Sequence, residues 1–186
     1  MDRTGEEVTG LVTAIHDSGT RICLVVTGAG TRALAWLFGV PGASRTMLDA
    51  QVPYSVAALD DYAGGAAEQH VSADEAALMA SAALTRATAL AERSGLPPGT
   101  LLAGVACTAT IATDRLKRGD HRCHVAWRGA DGGRGYSLVL TKGGRSRDTE
   151  EDVVSRLILN AVAEACGVDR RLDLPLMSGE TVARPA

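Results

Sequence analysis

The sequence predicts an α/β protein: a three-layer α/β/α sandwich with a mixed sheet. Three observations carry this. Short apolar runs at residues 22–26 and 101–106 have the length of covered strands. They alternate with stretches of helical periodicity, the pattern of strands interleaved with helices. Residues 122–127 and 136–140 then read as two strands joined by Gly129, Ala130, Asp131, Gly132 and Gly133, a hairpin that adds an antiparallel part to the sheet.

The elements follow in order. Thr4, Gly5, Glu6 and Glu7 have capping-box spacing, and Val8, Leu11, Val12 and Ile15 recur at helical intervals, so residues 4–18 form an amphipathic helix. Strand 22–26 runs into Thr27, Gly28, Ala29, Gly30 and Thr31, where two glycines let the backbone bend and approach a ligand closely. Residues 32–38 are a helix whose first N–H groups point back into that turn, a setting that favours an anion. A plain strand-to-helix connection also uses Gly and Thr. Residues 47–54 form a second strand with Pro53 near its end, and 56–63 a short helix closed by Gly64 and Gly65. Ser72, Ala73, Asp74 and Glu75 open an Ala-rich helix over 73–94, whose small side chains allow close packing on a sheet. Gly95, Pro97, Pro98 and Gly99 stop it. Strand 101–106 leads into a polar loop, 107–119, charged in its second half, and then into the hairpin. Residues 148–151 cap the last helix, 149–166, with Val153, Val154, Leu157, Ile158, Ala161 and Val162 on its inner face. The domain is expected to span 1–166, with 167–186 trailing over the surface as a tail. His16 is expected on a helix surface, and His70 in a loop without a partner.

Composition narrows the class. The chain of 186 residues is long enough for one domain with a real core, and with 3% aromatic residues that core must be built from Ala, Val, Leu and Ile. A formal charge of −3 gives no global field to draw in nucleic acid. No run of 18 apolar residues suggests a membrane span, and the acidic start lacks a signal-peptide core, so a cytoplasmic location is expected. Cys23, Cys107, Cys123 and Cys166 each sit in apolar stretches outside zinc-ligand spacing, which points to buried reduced thiols rather than a metal knuckle or disulfides.

Motif order then brings a resemblance. The sequence resembles the C-terminal domain of the CinA family, whose activity is nicotinamide-nucleotide amidohydrolase. That family runs A-E-S-C-T-G-G, a helix, V-P-G-S-S, then a strand ending T-Y-S-N-E-A-K. Val40, Pro41, Gly42, Ala43 and Ser44 match the second motif, and Val52, Pro53, Tyr54 and Ser55 the third. Counting back without gaps places Thr27 on the family's serine and Gly30 on its first glycine. The resemblance covers about residues 4–166 and implies the same three-layer plan. It implies a nucleophile at Thr27 assisted by Tyr54, but Leu59 stands where the family has its lysine, and Leu can neither take a proton nor stabilise charge. These departures mark a divergent branch.

A second stretch carries chemistry of its own. Residues 108–124, TATIATDRLKRGDHRCH, gather Arg115, Lys117, Arg118, Arg122 and His121 where the related family has a Gly- and Pro-rich loop near its substrate. Arginine and lysine clamp phosphate oxygens, and Asp120 could orient the His121 imidazole for acid–base work. The plainer alternative is a solvated cationic loop. Together these residues outline one expected site. Thr27, Tyr54, His121 and Asp120 are its chemical groups, and Gly28, Gly30, Thr31, Thr108, Thr110, Arg115, Lys117, Arg118 and Arg122 bind a phosphorylated nucleotide. A metal at Asp120, His121 and His124 is disfavoured, because positions 121 and 124 of one strand face opposite ways. Neither metal nor cofactor is expected, and neither nucleic acid nor membrane as partner. The apolar helix faces and the resemblance leave room for a homodimer. Three functions stay open: carboxamide hydrolysis, nucleotide binding without turnover, or another reaction run by His121 and Asp120.

Overall fold

The computed structural model describes residues 3–115 and 118–184. Within them the order is α1 (Arg3–His16), β1 (Arg21–Thr27), α2 (Thr31–Gly39), a 3₁₀ turn (Ala43–Arg45), β2 (Met47–Gln51), α3 (Val56–Ala63), α4 (Ala73–Arg93), β3 (Leu102–Thr110), β4 (His121–Gly129), β5 (Gly132–Leu140), α5 (Arg147–Ala165) and β6 (Val182–Ala183). The strands form one sheet in the order β2-β1-β3-β4-β5-β6. β1 is parallel to β2 and β3, and the pairs from β3 to β6 are antiparallel. This is the mixed three-layer sandwich that the periodicity predicts.

Each face of the sheet buries its own core. Ile22, Leu24 and Val26 of β1, Val105 and Cys107 of β3, and Leu138 and Leu140 of β5 pack against α1, α2 and α5. α5 alone sinks Val153, Val154, Leu157, Ile158, Leu159 and Val162, each worth roughly 1.5–3 kcal/mol of burial. On the other face Cys23, Val25, Ala106 and Ala126 meet Leu59 of α3 and Ala76, Met79, Ala80, Ala83 and Ala87 of α4. There the helix lies almost on the strand: a Cβ on Gly104 would come within 2.2 Å of the Ala80 carbonyl oxygen and the Leu84 nitrogen. Alanine on the helix and glycine on the strand close the layer, and Tyr62 of α3 packs against it.

Tertiary pairing moves several boundaries. β3 runs to Thr110, four residues past its expected end, because it pairs with β1 as far as Thr108 and with β4 as far as Thr110. β2 stops at Gln51, before Pro53, which has no N–H to give a ladder. α5 is capped by Ser146, whose Oγ accepts the Thr149 N–H at 3.2 Å, so Glu150 and Glu151 are free for other partners.

Two expectations fail for the same reason, a partner distant in sequence. His16 is buried: its Nε2 donates to the Leu37 carbonyl at 2.9 Å and its Nδ1 lies 3.0 Å from Thr46 Oγ1. Burial holds its proton affinity below the ordinary histidine value. The segment after α5 is fastened rather than trailing. Leu172 joins the core, the Asn160 side chain bonds both the N–H and the carbonyl of Leu172, and β6 pairs with Ser137 and Leu138. All four cysteines are free and buried; burial pushes Cys23 and Cys123 up to about 12 and Cys166 to about 11, so all three stay neutral thiols. Among the described residues no helix is long and apolar enough to cross a membrane.

Candidate functional site

β1, β2 and β3 are parallel, so their carboxyl ends share one edge of the sheet with the start of β4 and the amino ends of α2 and α5. Ligands of open α/β sheets sit at such an edge. Thr27, Gly28, Gly30, Thr31, Thr108, Thr110, His121 and Arg122 all stand on it. The pleat then divides them between two faces.

On the α4 face the sheet register lines up Thr27, Thr108, His124 and Ser137 as successive partners from β1 to β5. Each of their side chains already has a partner. Thr27 Oγ1 donates to the Pro53 carbonyl at 2.9 Å, Thr108 Oγ1 to the His70 carbonyl at 2.5 Å, and His124 Nδ1 lies 2.7 Å from Ser137 Oγ. Arg122 Nε donates to the Val71 carbonyl at 3.2 Å, so the 70–71 turn is strapped over this face from two strands. His70, expected without a partner, bonds Asp60 Oδ1 through Nε2 at 2.8 Å. Tyr54 is 72% exposed, and Leu59 packs in the core beneath α4. Glu75, in the first turn of α4, is buried with no partner at Oε1. Burial raises its proton affinity above the usual carboxylate range, His70 opposes this and Asp60 adds to it.

The α5 face is built differently. His121 is buried, and its Nδ1 lies 2.8 Å from Glu150 Oε1; the Glu150 side chain is wholly enclosed and its Oε2 accepts the Ala112 N–H at 2.7 Å. A carboxylate only accepts, so Nδ1 carries a proton toward Glu150, and in the neutral ring the lone pair is at Nε2. Among the described residues Nε2 makes no hydrogen bond, and it is not sealed from solvent. Asp120, expected to orient this ring, is exposed; Glu150, 29 residues away, is the partner. His121 and His124 face opposite sides of the sheet.

The turn after β1 also has a resident anion. Gly30 N–H donates to both Glu151 oxygens at 3.0 and 2.9 Å, Arg32 N–H to Oε1 at 3.0 Å, and Thr31 Oγ1 to Oε1 at 3.2 Å. The start of α2 favours negative charge, as its backbone predicts, and the charge it holds is the protein's own. A ligand phosphate therefore finds these N–H groups occupied. Gly28 has φ +80°, and a Cβ there would fall 1.8 Å from the Ala109 carbonyl oxygen, so glycine is required for the turn to close on β3. Arg147 spans the gap, donating from Nη1 to the Ala112 carbonyl at 2.8 Å and from Nη2 to that of Gly28 at 3.5 Å.

The loop from β3 to β4 carries cations. Arg115 and Arg118 are exposed, and neither pairs with a carboxylate among the described residues. Thr110 pairs with Arg122 in the ladder. Lys117 lies outside the described residues. Among the described residues no group of three or more His, Cys, Asp or Glu could hold a metal ion. Glu150 and Glu151 are the groups that sequence reasoning misses. Two acids in the first turn of a helix look like dipole partners, and no local spacing points to partners 29 and 121 residues away.

A three-layer α/β/α domain with a buried His–Glu pair and a cationic β3–β4 loop is the class that this architecture defines. Its fold is that of the CinA, or competence/damage-inducible, superfamily. The structure of competence/damage inducible protein CihA from Agrobacterium tumefaciens superposes with a TM-score of 0.66 at 18% identity, covering 87% of this chain and 94% of that one. A CinA superfamily protein from Klebsiella pneumoniae gives 0.62 at 17% identity over 89% and 97%. Competence damage-inducible protein A from Klebsiella pneumoniae subsp. pneumoniae gives 0.61 at 16% over 89% and 96%. No family model matches the sequence, and no curated protein does either.

Proposed function

We propose that this chain is a divergent CinA-like hydrolase that takes a phosphorylated nucleotide at the carboxyl edge of its sheet and hydrolyses a carboxamide C–N bond, with His121 as general base. The observation that carries this is the His121–Glu150 pair, with Nδ1 anchored at 2.8 Å to an enclosed carboxylate and Nε2 left available. Glu150 fixes the tautomer and the ring plane, as a base needs. Water loses a proton to Nε2 while its oxygen attacks the amide carbon. The C–N bond then breaks, the nitrogen takes the proton from the imidazolium, and ammonia and a carboxylic acid leave, the acid passing its proton to solvent or ammonia. Arg147, tied to two backbone carbonyls and to no carboxylate among the described residues, supplies positive charge beside the developing oxyanion. Arg115 and Arg118 receive the phosphate. In this mechanism water replaces the family's serine nucleophile. Thr27 is β-branched, its hydroxyl faces the Pro53 carbonyl rather than a base, and the lysine position is a core leucine.

Those last features favour a second reading, a nucleotide-binding domain without turnover. Ammonia release from nicotinamide mononucleotide separates the two. Turnover in the wild type that disappears in His121→Ala supports the hydrolase; none above that variant leaves binding alone. A thermal-shift comparison of the nucleotide with its phosphate-free nucleoside reads binding directly, since saturation at about 100 times Kd adds roughly 2.7 kcal/mol.

A further inference from the structure

We propose that Arg147 is also a positioning residue for the base: it acts on His121 through Ala112 and Glu150, so that the start of the loop after β3 and the His121–Glu150 pair share one seat on the first turn of α5. The inference rests on His121 being the base.

The link is an unbroken chain of contacts. Arg147 Nη1 donates to the Ala112 carbonyl at 2.8 Å. The Ala112 N–H donates to Glu150 Oε2 at 2.7 Å, and Glu150 Oε1 lies 2.8 Å from His121 Nδ1. Arg147 and Glu150 both stand in the first turn of α5, so the helix grips Ala112 on either side of its Cα. The Glu150 side chain is wholly enclosed. A carboxylate shut away from water needs its donors from the protein, and a missing one is costly. Among the described residues, Ala112 and His121 are the donors that Glu150 has.

Ala112 lies past Thr110, where the β3 ladder ends, so the sheet does not hold it. Arg147 supplies the hold. Its other contact is the Gly28 carbonyl at 3.5 Å, in the turn that closes on β3. Without that grip Ala112 is free to draw away, and Oε2 loses its donor. The Glu150 carboxylate then pulls harder on the Nδ1 proton, and His121 takes a second proton more readily. The remaining charged groups around the pair have other contacts. Glu151 bonds the start of α2, Asp148 bonds Arg32, Arg145 and Glu180 bond each other, and Lys142 Nζ donates to the Gly119 carbonyl at 3.2 Å. Asp120 is exposed, and β5 places apolar Leu140 opposite His121.

The test is a nitrogen-15 NMR titration of the His121 ring in the ligand-free full chain, with the Ala112 amide followed in the same samples. Arg147→Gln, at an exposed position, should raise the His121 midpoint by about half a pH unit and move the Ala112 amide proton upfield. Losing a cation also raises a nearby histidine through space, but salt screens that effect. The displacement should therefore persist at about 1 M salt, where the Debye length is about 3 Å. In a Glu150→Gln background the chain of contacts is already cut, so Arg147→Gln should leave the midpoint in place. A displacement that survives salt and disappears in the Glu150→Gln background supports the proposal. No displacement, one that salt removes, or one of equal size in that background overturns it. If Glu150→Gln loses its amide fingerprint, the salt comparison and the Ala112 amide decide: a lasting displacement with a moved amide supports, and an unmoved amide overturns. With no substrate present, the result is independent of turnover, which ammonia release reads separately.

Discussion

The two faces of the carboxyl edge handle buried polar groups in opposite ways. On the α5 side every buried carboxylate has a partner: Glu150 has His121 and the Ala112 N–H, and Glu180 has Arg145. The half-buried Glu151 there has the N–H groups of Gly30 and Arg32. On the α4 side the threonine hydroxyls go to backbone carbonyls, and Glu75 is enclosed with one oxygen unpartnered. Hydroxyls aimed at carbonyls are fixed as donors and cannot pass a proton onward. A histidine held at one nitrogen by a carboxylate can. In this chain the His121–Glu150 pair thus lies on the face opposite to the one where the motif resemblance places the nucleophile.

The sharpest way to break this comparison is to remove its centre. His121→Ala should lower turnover about 1,000-fold, roughly 4 kcal/mol of barrier, while Thr27→Val should leave it within a few-fold. Equal losses in both variants would return the chemistry to the α4 face. Glu150→Ala tests the support rather than the base. It strands the His121 Nδ1–H and the Ala112 N–H in a closed space and should cost about 3 kcal/mol in urea unfolding. A loss under about 1 kcal/mol would mean that water reaches the pair.

Acid separates the faces by sign. Arg145 holds Glu180 down at about 2, well below the ordinary glutamate value of 4.5. Its contribution is therefore present above pH 4.5 and lost as pH falls toward 2, and it amounts to roughly 3 kcal/mol at neutral pH. Glu180→Gln should remove most of that acid sensitivity, read as unfolding free energy between pH 5 and about 2. An unchanged profile would place the acid transition elsewhere.

Legibility in the sequence followed the range of the interactions. Helices and buried strands were readable because their signals are local: apolar spacing in α1, the alanine run in α4, the Gly-rich connection after β1. His121 and the arginines of the 111–120 loop stand out in the sequence because their residue types alone imply chemistry. What was hidden was pairing. Asp120 is adjacent to His121 in the chain and exposed, while Glu150 reaches it from another element. His16 and His70 looked solitary for the same reason, and the segment after α5 looked loose because Arg145 and Asn160 hold it from far upstream.

The smallest expected effect is the most direct check on the α4 face. Glu75 is buried without a partner at Oε1, and burial holds its proton affinity above the usual range. A carboxyl raised in this way favours the fold while it is protonated, below pH 4.5, and that advantage fades as pH rises through its folded-state value. At pH 7 the side chain either keeps its proton or carries an awkward charge. Glu75→Gln keeps the shape and removes the titration, so it should be neutral or stabilising by about 1 kcal/mol or less at pH 7, with the difference vanishing near pH 4. This is opposite in sign to Glu180→Gln, which destabilises at pH 7. A clear loss on Glu75→Gln would show that the carboxylate has a cationic partner on that face. The α4 side would then hold an ionised group of its own, and the division between the two faces would fail.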